Sequence, residues 1–491
     1  MKKIIVLLIT AALLLSGCTA AQTTPQGATE PTQEAEVSGF QAGFSRKNMN
    51  PATSVPLAGY SNALNRYMQS IGQDITCTAL AISDGDGGDL LLISVDLTNS
   101  QEAVMSMISQ NISTKTGIPV SNIVISATHT HSAPDMTNRS LPEEAAYIAL
   151  VSERLLVAAQ EALADRSAAT LYVGSIETEN LNFVRHYLVE NKLTGEVSVA
   201  GDHFGSFQDA TILGHASEGD PTLHLVQFKR ADKADIVLAN WAAHPHFTGG
   251  ASKYVLSSDF VGPFRETLED MTGSNVIFFQ GAAGDLNESS KINSERRTSD
   301  HRTYGALLAG YADSCLQSNM TAAATGAVRT LQVDFAGEIN HSQDHLYAAA
   351  NAVKAQWNQT YSTTDCKPLM EPHGIRSVYQ ALAIVSNYNR TSDDGRISLK
   401  AITIGESVAI VTFPGELFSG LYTQLEQSAL FPTTLLFGYA DQHVSYLPTQ
   451  AAYEYTCYES DISRFAPGTG EQVLQQYITM LEALGKEAPH A

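Results

Sequence analysis

Two histidine pairs carry the first chemical signal in this sequence. His129 and His131 stand in "ISATHTHSAPD" (125–135), and His244 and His246 in "NWAAHPHFTGG" (240–250). Each pair follows an apolar run, so each is expected where a strand ends. Side chains one residue apart on extended backbone point the same way. Two neutral imidazoles converging on one point make a metal site, and imidazole suits zinc best. Satisfied loop histidines would explain one such pair; the same feature at two independent strand ends favours a metal. Glu416 in "VTFPGELF" (411–418) is the natural third ligand, because it lies just past a buried strand where an unpaired carboxylate is costly. Spacing alone points to a metal hydrolase and stops there.

These residues need a scaffold, and the patterning supplies one. "CTALAISDGDGGDLLLISVDL" (77–97) reads as a hairpin around a Gly/Asp turn. "QEAVMSMISQNISTKTG" (101–117) reads as an amphipathic helix ending at Gly117, and 122–127 as a short buried strand. The stretch 140–166 has apolar residues at helical spacing and opens with Ser140 and Glu143 placed as a capping box. A second hairpin spans 222–245 and delivers His244; a helix at 259–271 and a strand at 275–279 follow. Helices are expected at 300–318, 344–358, 374–388 and 470–485, and a third hairpin at 397–416. No repeat of fixed period is present. The fold class is α/β (α+β): mixed β-sheets built from hairpins, with surrounding helices, in a single large domain over 39–491. A TIM-barrel amidohydrolase, which also opens its site with a histidine pair after a strand, needs eight βα units where this sequence has hairpins.

The ends and the composition bound the setting. Residues 1–18 carry Lys2 and Lys3, an apolar run from Ile4 to Leu15, and "LSGC" closing at Cys18. That run is shorter than the ~20 residues a spanning helix needs. The layout is that of a secretory signal. It resembles a bacterial lipoprotein signal, which implies a lipid-modified Cys18 and an extracytoplasmic protein anchored to the cell membrane. Residues 19–38, rich in Thr, Gln, Glu and Pro, read as a disordered tether. Apolar residues make up 44% of the chain, enough for a sizeable core, and no later stretch is apolar enough to span a bilayer. The formal charge of −22 argues against nucleic acid, whose phosphates need clustered Lys and Arg. Besides Cys18 there are Cys77, Cys315, Cys366 and Cys457, none in CxxC spacing, so a thiolate zinc site is not expected and disulfide pairing stays open.

A set of longer motifs adds to this. "PLAGY" (56–60), "ISATHTHSAP", "NWAAHPHF…VLSSDFVG", "FFQGAAGD", "VTFPGELF" and "YADQHVSYLPTQAAYEYTCYES" occur in one order over residues 40 to 465. In order and approximate spacing the chain resembles the catalytic domain of the neutral/alkaline non-lysosomal ceramidases. The resemblance implies one zinc ion and hydrolysis of an N-acyl amide, ceramide giving a fatty acid and a sphingoid base. It implies His129, His244, Glu416 and Tyr446 as zinc ligands, with Tyr446 coming from the resemblance alone. It also implies His131 and Tyr458 beside the scissile amide and Arg185, in "LNFVRHY", on the substrate side. His246 receives no role. In this reading a zinc-activated water attacks the carbonyl, and His131 protonates the leaving nitrogen.

Two departures from the family stand out. Its Gly-Asp-Val-Ser-Pro-Asn loop reads Gly284-Asp285-Leu286-Asn287-Glu288-Ser289 here, so Asn287 occupies the serine position and has no nucleophilic role; it remains a candidate hydrogen-bond donor to substrate. The family's additional C-terminal β-domain has no counterpart in these residues. Two alternatives therefore stay open: hydrolysis of another amide or ester by the same site, and a surface lipoprotein that binds lipid without turnover. The expected partners are a lipid or other N-acyl small molecule and, through Cys18, the membrane.

Overall fold

In the computed structural model, residues 39–486 are described apart from 61–65, 100, 138–139, 203–206, 208, 250–252, 293–297 and 456. The expected signal, Cys18 and the tether lie outside the described residues. Strands buried on both faces build the centre. In Thr76–Ser83, Leu80 and Ile82 face one way and Ala79 and Ala81 the other, and all four are fully buried. Such strands read as continuous apolar runs rather than as alternation.

The larger sheet runs in the order Asn275–Gln280, Ile236–Trp241, Thr222–Arg230, Ser167–Glu177, Gln41–Asn48, Thr76–Ser83, Asp89–Val95 and Ile123–Ala127. Thr321–Ala323 pairs beside Ser167–Glu177. A second sheet contains Val328–Ala336, Arg396–Ile404, Val408–Thr412 and Thr433–Phe437 in that order. The two sheets pack face to face. Leu80, Phe228 and Phe279 of the larger meet Ile402, Ile410 and Phe437 of the smaller, and the rings of Phe279 and Phe437 stack at 4.0 Å. Burying one such ring contributes about 1.5–3 kcal/mol.

Helices close both outer faces. Glu102–Thr116 and Pro142–Ala164 cover one half of the larger sheet, and Val261–Thr272 and His301–Ser318 the other. Thr469–Lys486 covers the smaller sheet. The result is a four-layer α/β/β/α sandwich, a specific form of the expected mixed α/β body.

Three parallel strand pairs matter most for function: Asp89–Val95 with Ile123–Ala127, Ile236–Trp241 with Asn275–Gln280, and Val408–Thr412 with Thr433–Phe437. Parallel neighbours need a crossover. Helices Glu102–Thr116, Val261–Thr272 and Ser419–Gln427 lie within these crossovers. In open α/β sheets, ligands bind beyond the carboxyl ends of such strands.

The expected hairpins and most helices are present, with local differences. The helix over 140–166 begins at Pro142 with Leu141 at its cap, so no Ser140–Glu143 capping box starts it. Proline at the first position is already set for helix entry, and Glu143 accepts from the Tyr67 hydroxyl at 2.8 Å instead. The helix expected at 374–388 is shorter, Val378–Tyr388, and a further helix, Thr363–Met370, precedes it. Pro368 inside that helix hides it from a pattern reading. Cys77, Cys315, Cys366 and Cys457 are buried and free. No described helix is long and apolar enough to cross a membrane.

Candidate metal centre

All four expected ligands stand beyond carboxyl ends of the three parallel pairs. His129 follows Ile123–Ala127, His244 follows Ile236–Trp241, Glu416 follows Val408–Thr412, and Tyr446 follows Thr433–Phe437. Glu416 and Tyr446 are direct partners in a two-residue parallel ladder completed by Leu417 and Leu447. Gly284, in the "FFQGAAGD" loop, crosses behind that ladder. A Cβ there would lie 2.6 Å from the Glu416 carbonyl oxygen, so only glycine admits this approach.

His129 sits in the left-handed region with φ of 67°. The extended backbone expected of the His129–His131 stretch is therefore not what aligns the rings. A non-glycine residue there is strained. Its backbone N–H donates to Leu97 O at 2.9 Å and its Nδ1 donates to Thr98 O at 2.5 Å, which hold it in place. The His129 ring also stacks on Tyr439 at 4.0 Å. His244 is oriented in the same manner, its Nδ1 donating to Leu286 O at 3.0 Å.

These second contacts decide the tautomers. Because Nδ1 of each ring carries the proton, Nε2 of each presents a lone pair. The two Nε2 atoms lie 3.5 Å (His129) and 3.3 Å (His244) from Glu416 Oε2. His244 Nε2 and Glu416 Oε2 are buried with no hydrogen-bond partner. Burial holds His129, His131 and His244 well below the ordinary imidazole value, and pushes Glu416 up to about 7. Burial likewise raises the Tyr446 phenol well above its usual range. Lone pairs and a carboxylate facing one another across about 3.5 Å repel. A divalent cation removes that repulsion and favours the ionised oxygen ligands. Two imidazoles, a carboxylate and a phenol are a donor set that fits such an ion. Coordinating histidines that donate their other N–H to a carbonyl are the usual second-shell arrangement.

The remaining candidates surround this point. His131 Nε2 lies 3.1 Å from His129 Nε2. Gly59, at φ of 98°, lets the Tyr60 loop cross His131; a Cβ there would sit 2.5 Å from His131 Cα. Tyr458 lines the cavity, its ring 5.8 Å from that of Tyr446. Arg185 lines it too, with its guanidinium 5.5 Å over the Tyr446 ring. Its nitrogens are engaged by Glu459 Oε1 at 2.5 Å, Gly284 O at 2.8 Å and Asn287 Oδ1 at 3.5 Å. Asn287 is buried behind Arg185 and is not among the residues lining the cavity. Asn287 therefore does not join the others at the cavity wall. His246, without a role from sequence, pairs through Nδ1 with Glu288 Oε2 at 3.0 Å.

Sequence reasoning missed the carbonyls of Thr98 and Leu286, the Tyr439 stack, and His443, which lines the same cavity. It also missed the buried ion pair of Glu459 with Arg185 and His186, the latter at 3.0 Å. Gly59 was within reach, since "PLAGY" is one of the recurring motifs. Among the described residues, His129, His131 and His244 bring ring nitrogens within 4.8 Å of one another, and two other groups combine histidine with acidic side chains, His186–Cys457–Glu459 and Asp220–His224–Glu426. In the group with Cys457, both ring nitrogens of His186 are already engaged, by Glu459 and by the Tyr455 hydroxyl at 2.9 Å.

No protein-family model and no curated protein matches the sequence. Solved structures do match. The neutral ceramidase from Pseudomonas aeruginosa superposes with a TM-score of 0.65 at 17% identity, covering 92% of this chain and 75% of that one. A ceramidase complexed with C2 matches with the same score and identity, over 92% of this chain and 76% of that one. At that identity the likeness is one of fold: this chain has the fold of the neutral ceramidases.

Proposed function

We propose that this protein is a zinc-dependent hydrolase of N-acyl amides. One observation carries the reading: two imidazole lone pairs and a buried carboxylate, with Tyr446 paired beside it, converge on a single point at the floor of a cavity of about 620 Å³. The shared ceramidase fold supports an amide as the bond broken and makes ceramide the reference substrate.

His129, His244, Glu416 and Tyr446 would hold the ion. When bound, zinc supplies Lewis acidity and a water acidified towards pKa ~7. The chain's own residues do the rest. The carbonyls of Thr98 and Leu286 fix the ligand tautomers. Tyr458, on the cavity wall, would donate a hydrogen bond to the carbonyl oxygen as it develops charge. His131, neutral and beside the ligands, is placed to carry a proton at Nε2 to the departing nitrogen, which leaves poorly as an anion. Arg185, locked by Glu459, positions Tyr446 rather than reaching out to substrate.

The test is metal content and fatty-acid release from a fluorescent short-chain ceramide, for wild type and Glu416→Ala. Zinc at one per chain and turnover should both vanish in the variant. Turnover retained by the metal-free variant would remove zinc from the chemistry. Zinc present in wild type with no N-acyl amide cleaved would favour the lipid-binding alternative. The lipoprotein-like "LSGC" further supports attachment to the membrane outside the cytoplasm; Cys18→Ala should then move the protein from the membrane to the soluble fraction.

A further inference from the structure

A second cluster of donors is built from residues other than the four proposed zinc ligands. Asp220 stands just before the strand Thr222–Arg230, His224 lies within it, and Glu426 belongs to the helix Ser419–Gln427. Each places one ligand atom within 4.8 Å of the other two. His224 is buried, and its Nε2 lies 3.3 Å from Glu426 Oε1. A fourth donor stands beside them. The Tyr422 hydroxyl gives its proton to Thr434 O at 2.8 Å, so at 3.2 Å it turns only lone pairs toward His224 Nε2. Tyr422 and Glu426, four residues apart on one helix, are neighbours on its surface.

Charge at this point is one-sided. Among the described residues neither carboxylate has a lysine or arginine partner: Asp220 Oδ1 accepts from Thr222 N–H at 3.0 Å, and the Glu426 carboxylate meets His224. Glu426 also stands in the last turn of its helix, where the backbone presents partial negative charge and no basic side chain answers it. Burial and the neighbouring Asp220 push the Glu426 carboxyl up to about 7, and burial holds the His224 imidazole below its ordinary value. A neutral imidazole supplies no countercharge. A proton on Nε2 would answer one of the facing oxygens and leave the two carboxylates and the helix end opposed. A cavity of about 640 Å³ opens on His224, Glu426 and Thr434, with room for water to complete a coordination shell.

We propose that Asp220, His224 and Glu426, with the Tyr422 phenol, form a second cation site that takes a divalent ion of the manganese class. Carboxylate and hydroxyl oxygens with water suit such an ion, and the set lacks the thiolates or multiple imidazoles that single out softer metals. Its role is structural. Thr222–Arg230 is hydrogen-bonded to Ile236–Trp241, the strand that leads to His244, with His224 opposite Asn240. Ser419–Gln427 is the helix that follows Glu416. A cation held between them fastens the larger sheet to a helix of the smaller one, on segments adjoining one proposed zinc ligand each. The site does not depend on what the zinc centre hydrolyses.

Manganese itself is the probe. The full chain is loaded with one equivalent of zinc and titrated with Mn²⁺, and loss of the free-ion signal in electron paramagnetic resonance counts the bound ion. One Mn²⁺ per chain is expected, with zinc retained. Asp220→Asn and Glu426→Gln keep shape and remove charge; each should weaken Mn²⁺ binding at least about tenfold and leave the zinc content unchanged. Mn²⁺ should also raise the guanidinium midpoint of wild type and leave that of Glu426→Gln unmoved. No bound Mn²⁺, Mn²⁺ bound only as zinc is displaced, or binding unchanged in both variants overturns the proposal, and none of these results bears on the amide-hydrolase reading, which has its own test.

Discussion

Replacing Glu416 by glutamine tests the argument for the metal at its physical root. The carboxylate is buried against two imidazole lone pairs, and its pKa moves from an ordinary 4.5 to about 7 when no cation is present. A raised carboxylate pKa means that the unfolded chain gives up its proton first. The native state of the metal-free protein is therefore penalised as pH rises above 4.5, and the penalty is complete above pH 7. The displacement corresponds to about 3 kcal/mol. Glutamine has the same shape, carries no charge, and can donate an amide N–H to the His244 Nε2 lone pair. In a chelator at pH 8, Glu416→Gln should thus be more stable than wild type by about 3 kcal/mol, and by almost nothing at pH 4.5. Zinc reverses the order: a ligand at one thousand times its Kd adds about 4.1 kcal/mol to a protein that binds it, and the variant should gain far less. Guanidinium unfolding at the two pH values, with chelator or with zinc, reads all four combinations. A variant less stable than wild type in chelator at pH 8 would refute the reasoning, because the carboxylate would then be stabilised by partners other than a metal.

Gly59→Ala puts a Cβ 2.5 Å from His131 Cα at a φ of 98°. It should destabilise by about 1–3 kcal/mol and lower kcat at least tenfold while zinc content stays at one, which metal analysis beside kinetics will check. Asn287→Ala, altering a side chain behind Arg185 and off the cavity wall, should reduce kcat less than tenfold; inactivation with zinc retained would give Asn287 a direct role. Burial opposes charge on His186, but Glu459 outweighs it and pushes the imidazole up to about 10. The stability this pair contributes is fully present below pH 6.5 and is lost as pH rises through about 10. Unfolding curves between those limits should show the decline in wild type and a flat response in Glu459→Gln, which also loses about 3–5 kcal/mol by leaving Arg185 and His186 unpaired.

What could be read from residues alone follows the range of the interactions. His129, His244 and Glu416 announce themselves because a polar ligand just past an apolar run is a local signal. Tyr446 does not. Its partner in the ladder is Glu416, thirty residues earlier, and a phenol has no ligand spacing to find; resemblance to a family supplied it. Arg185 is held by Glu459 across a sequence separation of 274, and no pattern within either segment hints at the pair. The hairpins were legible, since their turns are local. The division of strands between two sheets was not, because a strand buried on both faces, such as Thr76–Ser83, carries no alternation to say which layer it joins.

That hidden division has a functional consequence. His129 and His244 follow strands of the larger sheet, and Glu416 and Tyr446 follow strands of the smaller, pairing with each other in a short ladder of their own. The proposed metal point therefore bridges the two halves of the sandwich. The sheets are also stitched beside it by Ala127 N–H to Tyr439 O at 3.2 Å and Asp441 N–H to Ile125 O at 2.8 Å. Ligand geometry then depends on the packing between sheets as much as on the loops. Phe279 and Phe437, stacked in the inter-sheet core, set the spacing of the layers from which the ligands emerge. Shrinking either ring allows that spacing to relax, and because the ligands belong to opposite sheets, zinc affinity should weaken together with stability even though neither ring touches the site. In a site carried by one sheet the same cavity would lower stability and leave the metal in place.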